Sequence, residues 1–165
     1  MEKAPSVRAF PASCERWSLY ELAIPGPSSG NPFTEQTVSA VFTGPSETVP
    51  VRGFYDGDGV YRIRFMPSAE GVYSFRVTAS FPVPQPEGAF TVTPAGEGNH
   101  GPVRVRNTFH FAYEDGTAYY PVGTTCYVWE LQGDDLIRQT LESLKTSGFN
   151  KIRFCIFPKH YLYNL

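Results

Sequence analysis

Cysteine is scarce in this 165-residue sequence, and its spacing excludes the usual cysteine-based frameworks. The three cysteines are Cys14, Cys126 and Cys155. An odd, widely spaced set provides neither a disulfide framework nor a Cys-x-x-Cys metal pair. His100 and His110 do not complete a zinc-ligand spacing with them. We therefore expect three reduced, structural thiols and no metal centre.

The sequence also lacks an excess of one charge, a long apolar run and a P-loop. Fourteen basic and sixteen acidic residues give a net charge of -2, which provides no electrostatic footprint for nucleic acid. No apolar run approaches the ~18 residues of a membrane span, and the N-terminal MEKAPSVRAF contains no signal-peptide core. The P-loop motif is absent. The letters of Gly-x-Gly-x-x-Gly occur at residues 96–101 and those of Gly-x-Ser-x-Gly at residues 26–30, but both lie in turn-rich segments without the strand–turn–helix context that gives these motifs their function. These absences predict a cytoplasmic protein without a nucleic-acid partner, a membrane partner or a cofactor, and they leave its oligomeric state open.

Turn-forming and aromatic residues are abundant instead: the chain has 15 glycines, 15 prolines and 15% aromatic residues. Between residues 14 and 94, short strand-like runs recur about every ten residues, separated by turn signals. Several runs alternate; Tyr61, Ile63 and Phe65 would share one face of their strand. This pattern predicts a mainly β fold, with an immunoglobulin-like antiparallel β-sandwich over residues 1–98.

Two further features of this region predict local structure. Asp56-Gly57 and Asp58-Gly59 supply the positive-φ positions of a tight hairpin turn. The alternative, a calcium loop, lacks the remaining acidic ligands. The run CERWSLYELAI (14–24) is expected to form one strand, in which alternation with Leu19 buries Trp17.

A Gly-rich segment, Pro94 to Val103, is the best candidate for a linker, and a second domain is expected over residues 99–165. It begins with a hairpin that turns at Asp115-Gly116 and runs into a strand at Pro121–Gly123.

An amphipathic helix follows, capped by Asp134 or Asp135 and stopped by Gly148 in a left-handed conformation. Its apolar face contains Leu136, Ile137, Thr140, Leu141 and Leu144. A buried strand with Ile152, Phe154 and Ile156 comes next.

This strand–helix–strand order, with polar and aromatic residues after each strand, is typical of the start of a (β/α)8 barrel. Such a barrel needs roughly 250 residues, so only an incomplete start of one is expected here.

Long segments of the sequence resemble one bacterial group of clan A glycoside hydrolases. GFNKIR, Gly148 to Arg153, is similar to the Gly-x-Asn-x-(apolar)-Arg signature of their second barrel strand. In this group an N-terminal sandwich domain of unknown function precedes a barrel of the cellulase or apiosidase-like kind. The matching phrases are GNPF (30–33), GFYDGDGVYRIRFMP (53–67), NHGPVRV (99–105), FAYEDGTAYYPVGTTCYVW (111–129), TLESLKTSGFNKIR (140–153) and FPKHY (157–161).

The resemblance implies a carbohydrate substrate and retaining hydrolysis of an O-glycosidic bond through a glycosyl-enzyme. In the family the two catalytic glutamates follow strands four and seven, so neither is carried over onto a residue of this chain, and the chain alone is expected to be inactive. The family's strand-two arginine hydrogen-bonds the nucleophile and helps keep it ionised, a role that falls here on Arg153. An exposed or paired arginine at a strand end is the alternative.

In a (β/α)8 barrel, the residues that follow the strands lie on the catalytic face, where aromatic and polar groups can bind a sugar. Trp129 and Phe157 could equally fill the core or the barrel rim, and a binding or structural role is expected for His160. The substrate-binding candidates beside Arg153 are Thr124, Thr125, Trp129, Phe157, Lys159, His160 and Tyr161.

Two other functions remain open at this stage. The sandwich could be a non-catalytic carbohydrate-binding module, which would need exposed coplanar aromatic side chains. It could also be purely structural and serve only to stabilise the barrel.

Overall fold

The structure, a computed structural model, describes residues 10–156 and is mainly β. The described chain divides into two compact units. The first contains residues 10–104 and 113–117, and the second contains residues 105–112 and 118–156.

The first unit is a sandwich of a five-stranded and a three-stranded sheet, so the predicted β-sandwich is confirmed. The larger sheet has the order β1-β8-β7-β3-β4 and the smaller has the order β2-β6-β5. All pairings are antiparallel except that of β1 with β8, which is parallel. The elements are β1 (Ser13–Glu15), β2 (Tyr20–Pro25), the short helix α1 (Pro32–Glu35), β3 (Val38–Thr43), β4 (Thr48–Arg52), β5 (Phe54–Tyr55), β6 (Val60–Phe65), β7 (Gly71–Ala79) and β8 (Glu87–Thr93).

Alternating side chains from both sheets build one aromatic-rich core. Tyr61, Ile63 and Phe65 of β6 are all buried, as their alternation predicts. Phe42 stacks on Phe65 with ring centroids 4.3 Å apart, and Tyr20 stacks on another core ring. Burial of each such side chain contributes about 1.5–3 kcal/mol, so this core dominates the stability of the unit.

The expected single strand over residues 14–24 is instead two strands, because the chain changes sheets there. A turn at residues 16–19 separates β1 from β2, and Trp17 adopts a left-handed φ of 65°. Leu19 is 59% exposed and Trp17 is half-buried. The prediction that alternation buries Trp17 was therefore wrong, since alternation holds only within a continuous strand.

Hairpins form where Asp-Gly pairs predict them. Gly57, Asp58 and Gly59 have positive φ between β5 and β6, and Asp56 donates its N–H to Val60 O at 2.8 Å. The Asp56 carboxylate also pairs with Arg62.

The second unit holds the end of a three-stranded sheet and a parallel strand pair. The sheet order is β11-β10-β9, and the boundary between the two units crosses β9 and the β10–β11 hairpin. The parallel strands β12 and β13 flank the helix α2 in sequence. The bounds are β9 (Val103–Arg106), β10 (His110–Tyr113), β11 (Ala118–Tyr119), β12 (Gly123–Thr125), α2 (Asp134–Lys145) and β13 (Lys151–Arg153).

The ends of α2 differ from the sequence-based expectation. Gly133 is the N-cap residue without a side-chain cap, and Asp134 and Asp135 lie in the first turn, where they suit the helix dipole. The helix ends at Lys145 with Thr146 as its C-cap. Gly148 has no positive φ, so the predicted glycine stop was wrong. The capping hydrogen bonds come from the Thr146 N–H.

No helix within residues 10–156 is long and apolar enough to cross a membrane.

Candidate functional site

The parallel pair of β12 and β13 forms the frame of the candidate site. Thr124 is the register partner of Ile152, and Thr125 is the partner of Arg153. Beyond the strand ends, Cys126 donates its N–H to Arg153 O at 2.9 Å. The strand predicted at Pro121–Gly123 therefore lies two residues later, and Thr124 and Thr125 lie in the strand rather than after it.

Asn150, within the GFNKIR phrase, joins the entry points of the two strands. Its Oδ1 accepts from Val122 N and its Nδ2 donates to Tyr120 O, both at 2.9 Å. Its own N–H donates to Val122 O at 2.9 Å. Sequence reasoning missed this role, although an asparagine carries both the donor and the acceptor that such a bridge requires.

The two faces of the strand pair carry different candidates. Paired residues of neighbouring strands point to the same face, and successive residues point to opposite faces. Thr124 lines a groove against α2 together with Leu136 and Thr140. Thr125 and Arg153 therefore share the face directed away from the helix.

Arg153 lies beside an aromatic ring at the carboxyl edge of the strands. Its guanidinium carbon is 5.7 Å from the centroid of the Tyr127 ring, which is within the range of a cation–π contact. The residue is exposed. Tyr127 O also accepts the N–H of Cys155 at 2.8 Å, which fixes the backbone below the ring. Arg153 is thus positioned but open to a further partner.

Trp129 belongs to a different cluster, on the helix side. It begins a 3₁₀ turn (Trp129–Leu131) and packs edge-on against Phe154, with centroids 6.1 Å apart. It lines a groove of about 470 Å³ with Leu136 and Thr140. Among residues 10–156, the structure shows no hydrogen bond or ring contact between Trp129 and Arg153.

Two polar atoms of this turn are buried without a hydrogen-bond partner in the described part of the chain. They are Trp129 Nε1 and Glu130 Oε2. Buried polar groups in proteins are almost always paired, so these two atoms stand out within the described part of the chain. From the sequence, Glu130 was weighed with Glu114 and Asp115 as a possible catalytic carboxylate and set aside, because nothing places two of them across a cleft.

The remaining sequence-based candidates, Phe157, Lys159, His160 and Tyr161, lie outside the described residues. Their placement stays a prediction, like the substrate-binding role of Thr124, Thr125, Trp129 and Arg153. Within residues 10–156, no group of three or more His, Cys, Asp or Glu side chains is placed to hold a metal ion.

Comparison with known proteins gives a strong likeness to a solved structure. Residues 13–80 match the family model described as "Domain of unknown function (DUF5060)". The crystal structure of a "putative glycoside hydrolase" from Bacteroides vulgatus ATCC 8482 matches 92% of this chain, at 43% identity and a TM-score of 0.84. The chain spans 30% of the length of that neighbour.

The other comparisons add little. The alignment with the Lin-41 filamin domain covers 51% of this chain and 85% of the filamin domain, at 16% identity. Its TM-score of 0.41 is too low to support a conclusion. Among curated proteins no match is found.

Proposed function

We propose that this chain forms the N-terminal part of a clan A glycoside hydrolase of the cellulase or apiosidase-like kind, with an oligosaccharide or glycoside as substrate. The likeness to the Bacteroides vulgatus structure carries this proposal, because 43% identity over 92% of the chain includes both units. The 30% coverage of that neighbour leaves room for the rest of a barrel.

The second unit supports the assignment as the first β-α-β unit of that barrel. Parallel strands joined through a helix are the repeating element of the fold. Arg153 lies at the carboxyl edge of β13, which is the edge where barrel enzymes place catalytic groups. The unpartnered Trp129 Nε1 and Glu130 Oε2 are consistent with further chain packing against them.

In the proposed mechanism Arg153 is a positioning residue. A carboxylate nucleophile supplied by a later barrel strand would attack the anomeric carbon while a second carboxylic acid protonates the glycosidic oxygen, so the glycosidic bond breaks as the glycosyl-enzyme forms. That second group would then deprotonate the water that hydrolyses the glycosyl-enzyme. The Arg153 guanidinium would donate hydrogen bonds to that carboxylate and favour its ionised form. Thr125, on the same face, and the segment after β13 would contribute sugar contacts. Thr124 faces the helix, so this geometry favours Thr125 over Thr124 as a substrate contact.

The 165-residue chain should show no glycosidase activity by itself, since neither catalytic carboxylate can be placed on it. The test compares this chain with a longer protein that includes the proposed barrel, on a panel of aryl glycosides. We expect turnover by the longer protein alone, with retention of anomeric configuration by NMR. Turnover by the 165-residue chain would contradict its inactivity, and no turnover by either protein would contradict the hydrolase assignment.

Arg153→Gln tests the positioning role in the longer protein. Without the guanidinium the nucleophile loses a stabilising charge and its pKa rises, so the acidic limb of the kcat/KM profile should move to higher pH. A loss of about 100-fold in kcat is expected for a removed charge contact. Arg138→Gln is the matched control, because Arg138 pairs with Asp135 on the exposed face of α2 and should leave the profile unchanged. An unchanged profile for both variants would contradict the role.

A further inference from the structure

The first unit contains a cleft of about 360 Å³ that is lined by residues of this unit. Its apolar lining includes Trp17, Val49, Val51 and Met66, and Met66 is exposed. Charged side chains also line it, with Glu47 and Arg64 on the sandwich and Arg104 and Glu114 from the segments that follow. We propose that this cleft binds a neutral saccharide.

Trp17 is held in a conformation that the turn alone does not favour. Its φ of 65° is strained for a residue with a side chain. Its N–H donates to Pro67 O at 2.9 Å, and the Arg16 guanidinium lies 4.0 Å from its ring centroid. Strained backbone of this kind persists only where the surroundings hold it, and it concentrates at binding sites.

Gly101 fits closely against the same ring. Its φ is +78°, and a Cβ at this position would lie 2.7 Å from Trp17 Cδ2. A glycine is therefore required both by the backbone conformation and by the close approach. The tryptophan is thus fixed as part of the cleft lining, and it is not an exposed platform for flat stacking.

The segment that supplies Pro102 and Arg104 is anchored on both sides. Asn99 Nδ2 donates to Arg16 O at 3.0 Å and to Ser18 Oγ at 3.1 Å. His100 Nδ1 lies 2.7 Å from Asp115 Oδ2 in the following hairpin turn. Arg104 Nε donates to Glu114 Oε2 at 2.7 Å. The cleft is therefore preformed, which lowers the entropic cost of binding.

The charges of the cleft are balanced within the protein. Arg64 pairs with Glu21 at 2.7 Å, and Arg104 pairs with Glu114. Burial raises the pKa of the Glu47 carboxyl, but hydrogen bonds from Tyr73 and Ser68 outweigh burial and hold that pKa below its ordinary value. With two cations and two anions in the lining, no net charge remains to attract an ionic ligand.

These properties together select a ligand with apolar and hydroxyl surfaces and no charge. A pyranose ring presents C–H groups to an apolar lining and hydroxyls to carboxylate and guanidinium groups. The cleft volume lies at the lower end of the roughly 300–1,000 Å³ range of small-molecule sites, so one or two sugar residues would fill it. The choice of a saccharide rests in part on the proposed hydrolase function.

The test uses the 165-residue chain labelled with nitrogen-15. Cellohexaose, xylohexaose and mannohexaose are added in turn, with trigalacturonate as a charged comparator. We expect at least one neutral oligosaccharide to shift the Trp17 indole and Met66 backbone signals in a saturable way. The absence of such shifts with all three at 10 mM, or stronger binding of trigalacturonate, would overturn the proposal.

Matched variants locate the binding. Arg104→Ala should raise the Kd about tenfold, the effect of losing one charged hydrogen bond to a hydroxyl. Arg76→Ala should change it less than about twofold, because Arg76 forms a similar exposed ion pair with Glu87 outside this cleft. Met66→Ala and Val72→Ala form a second pair, since Val72 is exposed elsewhere on the sandwich. If the two substitutions within each pair changed the Kd equally, the saccharide would not bind in this cleft.

This outcome is independent of the hydrolase assay. Binding measured on the 165-residue chain can fail while the longer protein turns over aryl glycosides, and the reverse can also occur.

Discussion

The two units of this chain place their apolar side chains in opposite ways. All fifteen residues of the buried core cluster lie in the first unit. In the second unit, the buried hydrophobic residues within the described chain are Ala112 and Val128 alone. Most of its large apolar side chains are exposed instead; Phe109 and Ile156 are each 86% accessible.

The difference separates regular secondary structure from a stable fold. The second unit has regular strands and a twelve-residue helix, but helix and strand formation contribute little stability without burial. Each large apolar side chain left in water forfeits about 1.5–3 kcal/mol, and a whole domain is stable by only about 5–15 kcal/mol. We infer that the first unit is a self-sufficient sandwich and that the second unit needs a covering partner, which the proposed barrel would supply.

Separating the units should give the largest effect. A chain of residues 1–117 keeps the core and the turn that pairs with His100 and Arg104, so it should melt cooperatively. A chain of residues 118–165 should show no cooperative transition. Thermal melts followed by near-ultraviolet circular dichroism would make the distinction. A cooperative melt of the second chain would contradict the inferred asymmetry.

A leucine-to-alanine substitution in each unit tests the difference in burial between the two units. Leu22 is fully buried, so Leu22→Ala should cost about 2–5 kcal/mol in unfolding free energy. Leu141 is 40% exposed on α2, and Leu141→Ala should cost less than about 1 kcal/mol. Urea denaturation of the 165-residue chain measures both. Similar losses would mean that α2 is packed as tightly as the sandwich.

A pair of glycines tests how rigidly the first unit is built around its cleft. Gly101→Ala should cost about 2–4 kcal/mol, because the backbone is left-handed and the new Cβ would meet the Trp17 ring. Gly98 has a similar φ of +81° but open space around it, so Gly98→Ala should cost only about 1 kcal/mol. The same denaturation assay applies, and equal costs would show that Trp17 yields without strain.

The smallest expected effect is a pH dependence confined to the first unit. The lowered pKa of Glu47 means that the folded state binds its proton less readily than the unfolded state. The stabilisation is present above the ordinary glutamate pKa of about 4.3 and is lost as pH falls through the lower folded value. Glu47→Gln should therefore flatten the acid side of the stability curve. If the unfolding free energy of this variant fell with decreasing pH as steeply as that of the unaltered chain, Glu47 would not be the source of the acid dependence.

The sequence predicted the structure correctly where the apolar alternation of a segment matched a continuous strand of the fold. It failed where the chain left one sheet for the other within such a segment. Alternation in β6 predicted the burial of Tyr61 and Ile63 because that strand is continuous. At Trp17 the apolar pattern continued while the chain changed sheets, and only long-range pairing decides such a break. The Asp115-Gly116 turn was predicted correctly, since Gly116 has a φ of 91°.

The candidate site was less predictable for a related reason. A shift of two residues in the start of β12 moved Thr124 from a loop into a strand, and strand alternation then turned it toward the helix. The bridging hydrogen bonds of Asn150 and the close approach of Gly101 to Trp17 leave no periodic signal. Positions set by single hydrogen bonds or close contacts need the coordinates.

Amide hydrogen exchange of the monomeric 165-residue chain tests the inferred asymmetry most directly. It compares the β6 amides, residues 60–65, with the β13 amides, residues 151–153. The sandwich amides should exchange only through global unfolding, and the β13 amides should exchange orders of magnitude faster through local opening. Equal protection of the two strands in a verified monomer would show that the second unit is already a complete fold, contrary to the inference that a larger barrel must cover it.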